Sequence, residues 1–555
     1  MTKTTFATFL ICVLFISCGT SYNSLTTRPI KWVDPDTRPI SKPKETNQNV
    51  IWDIVDHTFF YEVGKTLDLG WTARRLGNVV GVTPYREADN VNALDETVNS
   101  SWFTNRHGLT RMSYDELMYG PGEAIPDTTG PWTIIKGKFH GVAPGFRIQD
   151  IKGDVFFFKF DAQGNHELAS TAEVISTKIL YAAGYHVPIN SVVYFDPSVL
   201  RVGQSVAYPD GHGGTRDMTE ADLHKLLDFI TKEPNGKIRA LASKQIEGIP
   251  VGLYNFHDVR KSDANDRVYH QHRRELRGLR VISSWINDVD RRAANTLDMY
   301  IENENKKGHL KHYLIDMGAT LGSSTVKPRT PKSGNEYFVD IRQIVPSTLA
   351  LGFYQKPWEE PLPMTYPELG YLESTVFSPK RWVTNYPNPA FERCTARDGY
   401  WGAKIVMSFT DTDIEAVVKA GQLSNPNAEQ ELIRLLKERR DKIGRYWFAK
   451  INPLDRFWIN QDGLHFEDLA VKGNLAQANQ TQYTYRVFNK IGKPIHETQT
   501  TALTKIPIPS NLPNKRYHAI EIRTQRPNAS SHTTRIFFYK WQEGQYQIVK
   551  IERET

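Results

Sequence analysis

Cysteine is scarce in this chain of 555 residues. Only Cys12, Cys18 and Cys394 are present, and the first two lie close to the amino terminus. Three cysteines exclude a fold held together by several disulfides, and they exclude a zinc site made of four cysteines. Packing and polar contacts must therefore hold the fold together.

The sequence also lacks a concentration of charge of one sign. Lysine and arginine total 69 against 62 aspartate and glutamate residues, which gives a formal net charge of only +7. A nucleic-acid-binding protein usually carries a concentrated basic stripe, so we expect no nucleic-acid partner. With 39% hydrophobic residues, the chain can form more than one core. Its length predicts several domains at about one per 150 residues.

Long hydrophobic runs are absent beyond the first residues. The one apolar run, residues 6–16 (FATFLICVLFI), follows Lys3 and is too short to span a membrane. A positive residue followed by a short apolar run is typical of a secretory signal peptide.

The end of this run resembles a bacterial lipoprotein box. The four residues Phe15-Ile16-Ser17-Cys18 place a small residue before the cysteine that such a signal diacylates. This predicts a signal peptide over 1–17, with lipid on Cys18 and the mature protein held at the cell envelope. The outer membrane and the periplasmic face of the inner membrane both stay open, as do an ordinary cleaved signal and an uncleaved anchor.

Residues 19–49 are polar and contain several prolines, as expected for a tether that lifts a folded body off a membrane. The predicted organisation is a tether over 18–49, an N-terminal extension over 50–130, a first lobe over 131–200, a second lobe with insertions over 201–460, and a small β-sandwich over 465–555.

A glycine-bearing loop lies between two predicted strands, 132–136 and 146–150. Gly137, Gly141 and Gly145 are spaced every four residues. Glycine lets backbone N–H groups approach a polyphosphate that side chains would otherwise exclude. The alternative is a plain turn.

Lys159 stands in the middle of a third predicted strand, 154–160, between two phenylalanines. Burial of an unpaired lysine is costly, so this side chain needs a negative partner. Glu173, on the predicted helix 169–183 that Gly184 ends, could supply the partner. Ser170 and Glu173 also fit a capping box, in which Glu173 only bonds to the helix start. Both interpretations stay open.

Acidic and amide residues follow in a fixed order. Asp290 precedes Asn295 by five positions, and Asp316 follows a predicted hairpin and precedes Gly318 by two. Phosphoryl transfer needs an aspartate that positions the attacking hydroxyl, and it needs oxygen ligands that hold Mg²⁺. Arg292 could offset the transferring charge. A structural calcium cluster or ordinary loop residues would also explain this pattern.

Taken together, these elements resemble the protein-kinase superfamily in its atypical branches. They are, in order, the glycine loop, the strand lysine, the helix glutamate, Asp-x4-Asn and Asp-x-Gly. The resemblance covers about residues 130–320, with the predicted helices up to 450 as the rest of a second lobe. It implies ATP and Mg²⁺ as ligands and an unknown protein or small molecule as the acceptor. Asp288 stands where common kinases have histidine, Met317 replaces the middle phenylalanine, and no A-P-E follows.

The resemblance implies a role for each of these residues. The three glycines and Lys159 would bind the nucleotide, and Lys159 would pair with Glu173. Asp290 would be the catalytic aspartate, with Arg292 beside it, and Asn295 and Asp316 would hold the metal.

The predicted fold class is α+β, a two-lobed kinase-like domain followed by a small all-β sandwich. The predicted function is ATP-dependent phosphoryl transfer by a lipid-anchored envelope protein. Exported proteins meet little ATP, so the alternative is a non-catalytic interaction lipoprotein, either a pseudokinase or one stabilised by a cation.

Overall fold

The computed structural model describes residues 30–46, 86–138, 145–209, 214–338, 340, 355–489, 492–527 and 532–555. The predicted signal peptide, Cys18 and Gly141 lie outside the described residues. The described part of the chain is α+β, with 24% of its residues in helices and 27% in strands. Among the described residues, none of the helices combines the length and the apolar character needed to cross a membrane.

The strands are β1 (Trp132–Lys138), β2 (Gly145–Gln149), β3 (Val155–Lys159), β4 (Ile189–Phe195), β5 (Leu200–Val202), β6 (Ala207–Pro209), β7 (Thr215–Asp217), β8 (Ile238–Lys244), β9 (Ile249–Pro250), β10 (Thr296–Glu302), β11 (Gly308–Leu314), β12 (Leu454–Asn460), β13 (Gly463–Asp468), β14 (Gln482–Phe488), β15 (Gln499–Thr501), β16 (Lys505–Ile506), β17 (Arg516–Gln525), β18 (Thr533–Gln542) and β19 (Gln545–Arg553).

The α-helices are α1 (Tyr114–Tyr119), α2 (Leu168–Ala183), α3 (Glu220–Asp228), α4 (Arg274–Ile286), α5 (Pro389–Glu392), α6 (Ala396–Ser408), α7 (Asp411–Lys419), α8 (Pro426–Phe448) and α9 (Leu469–Lys472).

A six-stranded sheet has the strand order β4-β8-β3-β2-β1-β5. Strands β1, β2 and β3 form an antiparallel meander, α2 follows β3, and β8 then inserts between β3 and β4. In β3, Phe156 and Phe158 point into an aromatic core with Trp132, while Phe157 is exposed. This alternation places Lys159 on the face opposite to Phe158.

Strand β1 extends two residues beyond its predicted end, and β2 begins one residue earlier than the sequence predicts. Gly137 pairs with Phe146 inside the β1–β2 ladder, and Gly145 pairs with Lys159 in the β2–β3 ladder. A Cβ atom on Gly145 would lie 2.2 Å from the carbonyl oxygen of Phe158. The prediction that both glycines belong to the loop is therefore wrong, because close strand pairing uses them.

Helices α4, α6, α7 and α8 share a second core. The side chain of Thr410 caps the start of α7, and Asn425 caps the start of α8, whose first residue is Pro426. Leu436 of α8 is fully buried, and its carbonyl oxygen accepts a hydrogen bond from the indole of Trp285 in α4. The helix that carries Trp285 ends immediately before the residues predicted to be catalytic.

Two antiparallel sheets form the carboxyl-terminal part, with orders β12-β13-β16 and β15-β14-β17-β18-β19. Side chains from both sheets, among them Phe466 and Phe538, share one hydrophobic core, which is the arrangement expected of a β-sandwich. The unit begins at Leu454 rather than at residue 465. The sequence predicts this first strand, Leu454–Asn460, as part of the preceding lobe.

Residues 30–46 lie against the folded body, although the sequence predicts a free tether there. Val33 forms a bridge with Asn99, Ile40 with Gly308, and Thr46 with Gly252. The buried carboxylate of Asp36 accepts hydrogen bonds from the backbone N–H and the hydroxyl of Ser101. We call residues 30–46 the strap. The backbone of the strap forms hydrogen bonds with the folded body. The polar composition of residues 30–46 does not predict these contacts.

We expect Asp36→Ala to lower the free energy of unfolding by about 1–3 kcal/mol, because the buried N–H of Ser101 would lose its acceptor. Urea unfolding measures this change, and hydrogen exchange should rise over residues 31–46. Glu45→Ala is the control, since Glu45 only pairs with Lys42 at the surface. It should change stability by less than about 0.5 kcal/mol. An equal effect of both variants would contradict the packed strap.

Candidate functional site

Lys159, at the end of β3, lies at the centre of the candidate site. Its Nζ is 3.1 and 3.0 Å from the two carboxylate oxygens of Glu173 and 3.1 Å from Oδ1 of Asp316. The Lys159 side chain is 23% exposed and that of Glu173 5%, whereas that of Asp316 is 52% exposed. The three residues predicted to act together are thus in direct contact.

Glu173 is an ion-pair partner and does not cap its helix. Helix α2 begins after Glu167, whose own side chain makes no capping hydrogen bond; the Asp161 carboxylate accepts from the backbone N–H groups of Ala169 and Ser170 instead. Ser170, the other half of the expected capping box, instead donates its backbone N–H and its hydroxyl to the buried carboxylate of Asp161. The carboxylate of Glu173 is therefore directed to Lys159, which decides between the two interpretations of the sequence.

The buried side chain of Arg239 holds α2 in place. This arginine, on β8, donates hydrogen bonds to Asp161, to the Thr171 hydroxyl and to the carbonyl oxygen of Gly421. It therefore connects the six-stranded sheet, the helix that carries Glu173 and the end of α7. Sequence reasoning missed this residue, because only the fold brings its partners together.

The charges around Lys159 keep it protonated. Burial alone would lower the pKa of the Lys159 ammonium, but the carboxylates of Glu173 and Asp316 outweigh burial and raise the pKa above the ordinary value of 10.5. Lys159 is thus a fixed positive charge, suited to bind an anion.

The loop after α4 carries the predicted catalytic aspartate. The side-chain amide of Asn295 donates hydrogen bonds to the carbonyl oxygen of Asp290, at 2.8 Å, and to its Oδ2, at 3.1 Å. Nε of Arg292 lies 3.3 Å from Oδ1 of Asp290. Because Asn295 uses its Nδ2 for both bonds, its Oδ1 is the atom suited to ligate a cation.

Arg291 joins this loop to Asp316. It is fully buried, pairs with Asp288 at 2.7 Å, and donates to the carbonyl oxygens of Asn295 and Ile315. Burial raises the pKa of the Asp288 carboxyl, while Arg291 opposes that effect. Asp288 thus has a structural partner. Only its position between Asp290 and Arg292 could have drawn attention to Arg291.

Asn295 and Asp316 are the candidate ligands of a magnesium ion. Ile315 donates its backbone N–H to the carbonyl oxygen of Asn295, which places Asn295 beside the residue that precedes Asp316. No group of three or more histidine, cysteine, aspartate or glutamate side chains suited to hold a metal occurs in the described ranges. Mg²⁺ usually takes one or two carboxylates together with substrate phosphates and water, so Asp316 with Asn295 would suffice.

The glycine loop contributes less than the sequence suggests. Gly141 lies outside the described residues, and Gly137 and Gly145 are held in strand pairing. Gly145 pairs with Lys159 across the β2–β3 ladder. Neither glycine shows a role that a nucleotide would require.

Comparisons with known proteins do not identify the chain: no family model, no curated protein and no solved structure matches it. The geometry of the site is therefore the basis for any functional conclusion.

We expect Lys159 to resist acylation at pH 9, because its raised pKa keeps it protonated. The stabilisation from its ion pairs should be fully present below pH 10.5 and be lost only above it. Acetylation followed by mass spectrometry should find Lys159 at least about tenfold slower than the exposed Lys380.

Glu173→Gln should raise the rate at Lys159 several-fold. Asp154→Asn, which removes the partner of a different lysine, Lys244, should leave the rate unchanged. An unchanged rate in Glu173→Gln would show that Glu173 does not control Lys159.

Proposed function

We propose that the chain is a lipid-anchored envelope protein whose two-lobed kinase-like domain transfers the γ-phosphoryl group of ATP to a hydroxyl acceptor. The observation that carries the proposal is the contact of Lys159 with both Glu173 and Asp316. Active protein kinases require a lysine on the third strand paired with a helix glutamate, and an aspartate on the metal. The lipid anchor rests on the sequence around Cys18.

The order of the structural elements supports this proposal. Lys159 lies on the third strand of the six-stranded sheet, and Glu173 lies on the helix that directly follows. Asp290 and Asn295 lie in a loop after a buried helix, and Asp316 follows the β10–β11 hairpin. Protein kinases place their lysine, glutamate, catalytic aspartate, asparagine and metal aspartate in the same order.

The residues suggest a division of work. Lys159 would orient the nucleotide phosphates, while Asn295 and Asp316 would hold Mg²⁺, which when bound neutralises charge on those phosphates. Asp290 would accept the proton of the acceptor hydroxyl. The hydroxyl oxygen forms a bond to the γ-phosphorus, the bond from this phosphorus to its bridging oxygen breaks, and ADP leaves with the electron pair.

A non-catalytic interaction protein is the second candidate. The observation that favours it is the strand pairing of Gly137 and Gly145, which explains these glycines without a nucleotide. Export to an ATP-poor compartment favours it as well. Nucleotide binding separates the two candidates.

We expect ATP with Mg²⁺ to raise the melting temperature of the purified full chain, since a ligand bound only by the native state stabilises it. At a hundredfold excess over Kd the gain is about 2.7 kcal/mol. Asp316→Ala should abolish the Mg²⁺-dependent part of the shift, and Asp462→Ala, in the exposed turn after β12, should retain it. The absence of any shift in the parent protein would favour the non-catalytic candidate.

Asp290→Asn should lower turnover by a factor of about 10²–10⁴ with little change in nucleotide affinity, because it removes only the proton acceptor. Release of labelled phosphate from [γ-³²P]ATP measures the rate, and the thermal shift measures binding. Turnover equal to that of the parent would remove Asp290 from the mechanism.

A further inference from the structure

A cavity of about 190 Å³ opens at the junction of four parts of the chain. Its aromatic wall consists of Trp32 in the strap, Phe103 in the N-terminal extension, Trp401 in α6 and Phe457 in β12. None of the residues proposed for phosphoryl transfer lines it. An engineered cavity of about 150 Å³ binds benzene, so this cavity has room for one ring with a small substituent.

Two of the apolar side chains that line the cavity are exposed to solvent. Trp32 is 37% exposed and Leu109 is 40% exposed. The carbonyl oxygen of Trp32 accepts a hydrogen bond of 2.8 Å from the backbone N–H of Asn99, so the strap holds this part of the wall in place. A preformed cavity with mostly apolar walls and a few placed polar groups is the usual form of a small-molecule site.

The carboxylates that line the cavity are already paired. Nζ of Lys404 lies 2.7 Å from Oδ2 of Asp455 and also contacts Oε1 of Glu96. Nη2 of Arg553 lies 2.7 Å from Oδ1 of Asp455. The two carboxylates and the two cations compensate one another, so this group gives the cavity no net charge of either sign.

Arg106 lines the same cavity with part of its guanidinium unused. Its Nη1 donates to the carbonyl oxygens of Tyr181 and Tyr185, at 2.8 and 3.1 Å. Nε and Nη2 of Arg106 donate no hydrogen bond to any residue that the structure describes, and neither atom is buried. The other arginine of the lining, Arg456, has the carboxylate of Glu467 at 3.5 Å. Arg106 is therefore the source of the positive charge that is left over at this cavity.

We infer that this cavity binds a small organic anion, a carboxylate carried on an apolar ring. The ring would lie between the aromatic side chains of the wall, and the carboxylate would accept hydrogen bonds from Nε and Nη2 of Arg106. These two atoms form an edge that matches a carboxylate through two parallel hydrogen bonds. The ring takes most of the volume, which favours a planar carboxylate over a bulkier phosphate. The site is separate from Lys159, so it does not depend on the proposed phosphoryl transfer.

Three probes test this inference: phenylacetate, phenylacetamide and acetate. The first two have the same shape and differ in charge, and acetate lacks the ring. Each is titrated by calorimetry into the full chain without nucleotide. We expect phenylacetate to bind about tenfold more tightly than phenylacetamide, as one charge-assisted hydrogen bond predicts. Acetate should bind at least about tenfold more weakly than phenylacetate, because it buries no ring.

Two variants separate the roles of charge and wall. Arg106→Gln should reduce the preference for phenylacetate over phenylacetamide to less than about threefold, and Arg106→Lys, which keeps the charge, should retain part of it. Trp32→Ala should weaken both ring-bearing probes about equally, by at least about threefold, because it removes apolar contact and no charge. Circular dichroism and urea unfolding show whether each variant is folded.

The matched controls are Arg516→Gln, at an exposed arginine of β17, and Trp458→Ala, at a tryptophan of β12 that is 50% exposed and does not line the cavity. Both should leave the three affinities unchanged. The inference is overturned if the parent protein binds neither ring-bearing probe, if it binds both equally, or if the preference survives in folded Arg106→Gln. If Arg106→Gln does not fold, Trp32→Ala decides, since unchanged affinities in that variant would place the probes outside this cavity.

Discussion

The ion pair between Lys159 and Glu173 is the contact on which the rest of the site depends. Two largely buried opposite charges are stable only if each remains close to its partner, because an uncompensated charge in the interior is strongly destabilising. The pair therefore fixes the distance between β3 and α2. Asp316 joins the same ammonium, so the end of the β10–β11 hairpin is drawn to the sheet as well.

Two buried arginines connect further elements to the residues around this ion pair. Arg239 connects the sheet with α2 and α7, and Arg291 connects the loop of Asp290 with the strand end before Asp316. Both donate to backbone carbonyl oxygens, which any residue supplies. These arginines thus hold the helix of Glu173 and the loop of Asp290 in position.

The sequence predicts the local elements of the fold well, because periodicity and capping act over a few residues. Gly184 ends helix α2 as predicted. It also indicates which residues belong to the site, since Lys159, Glu173 and Asp316 do meet. The features that the sequence does not predict depend on contacts between distant segments of the chain. Strand pairing at Gly145 and the strap around Asp36 have no local signal in the sequence. The partners of Arg239 belong to three separate elements, and no spacing rule relates them.

Because the strap is packed on the body, it would also limit how far the site of Lys159 can lie from a membrane that holds Cys18. If Cys18 carries lipid, the described chain begins at Ile30, and only residues 19–29 separate the anchor from the body. At about 3.3–3.6 Å per residue this leash reaches at most about 40 Å. A folded chain of about 500 residues has a radius of gyration of about 23 Å, hence a width of about 60 Å. With such an anchor the leash would be shorter than the body is wide, and the protein could not turn freely above the bilayer. It would sample acceptors within a thin layer next to the membrane, with the strap side facing the lipid.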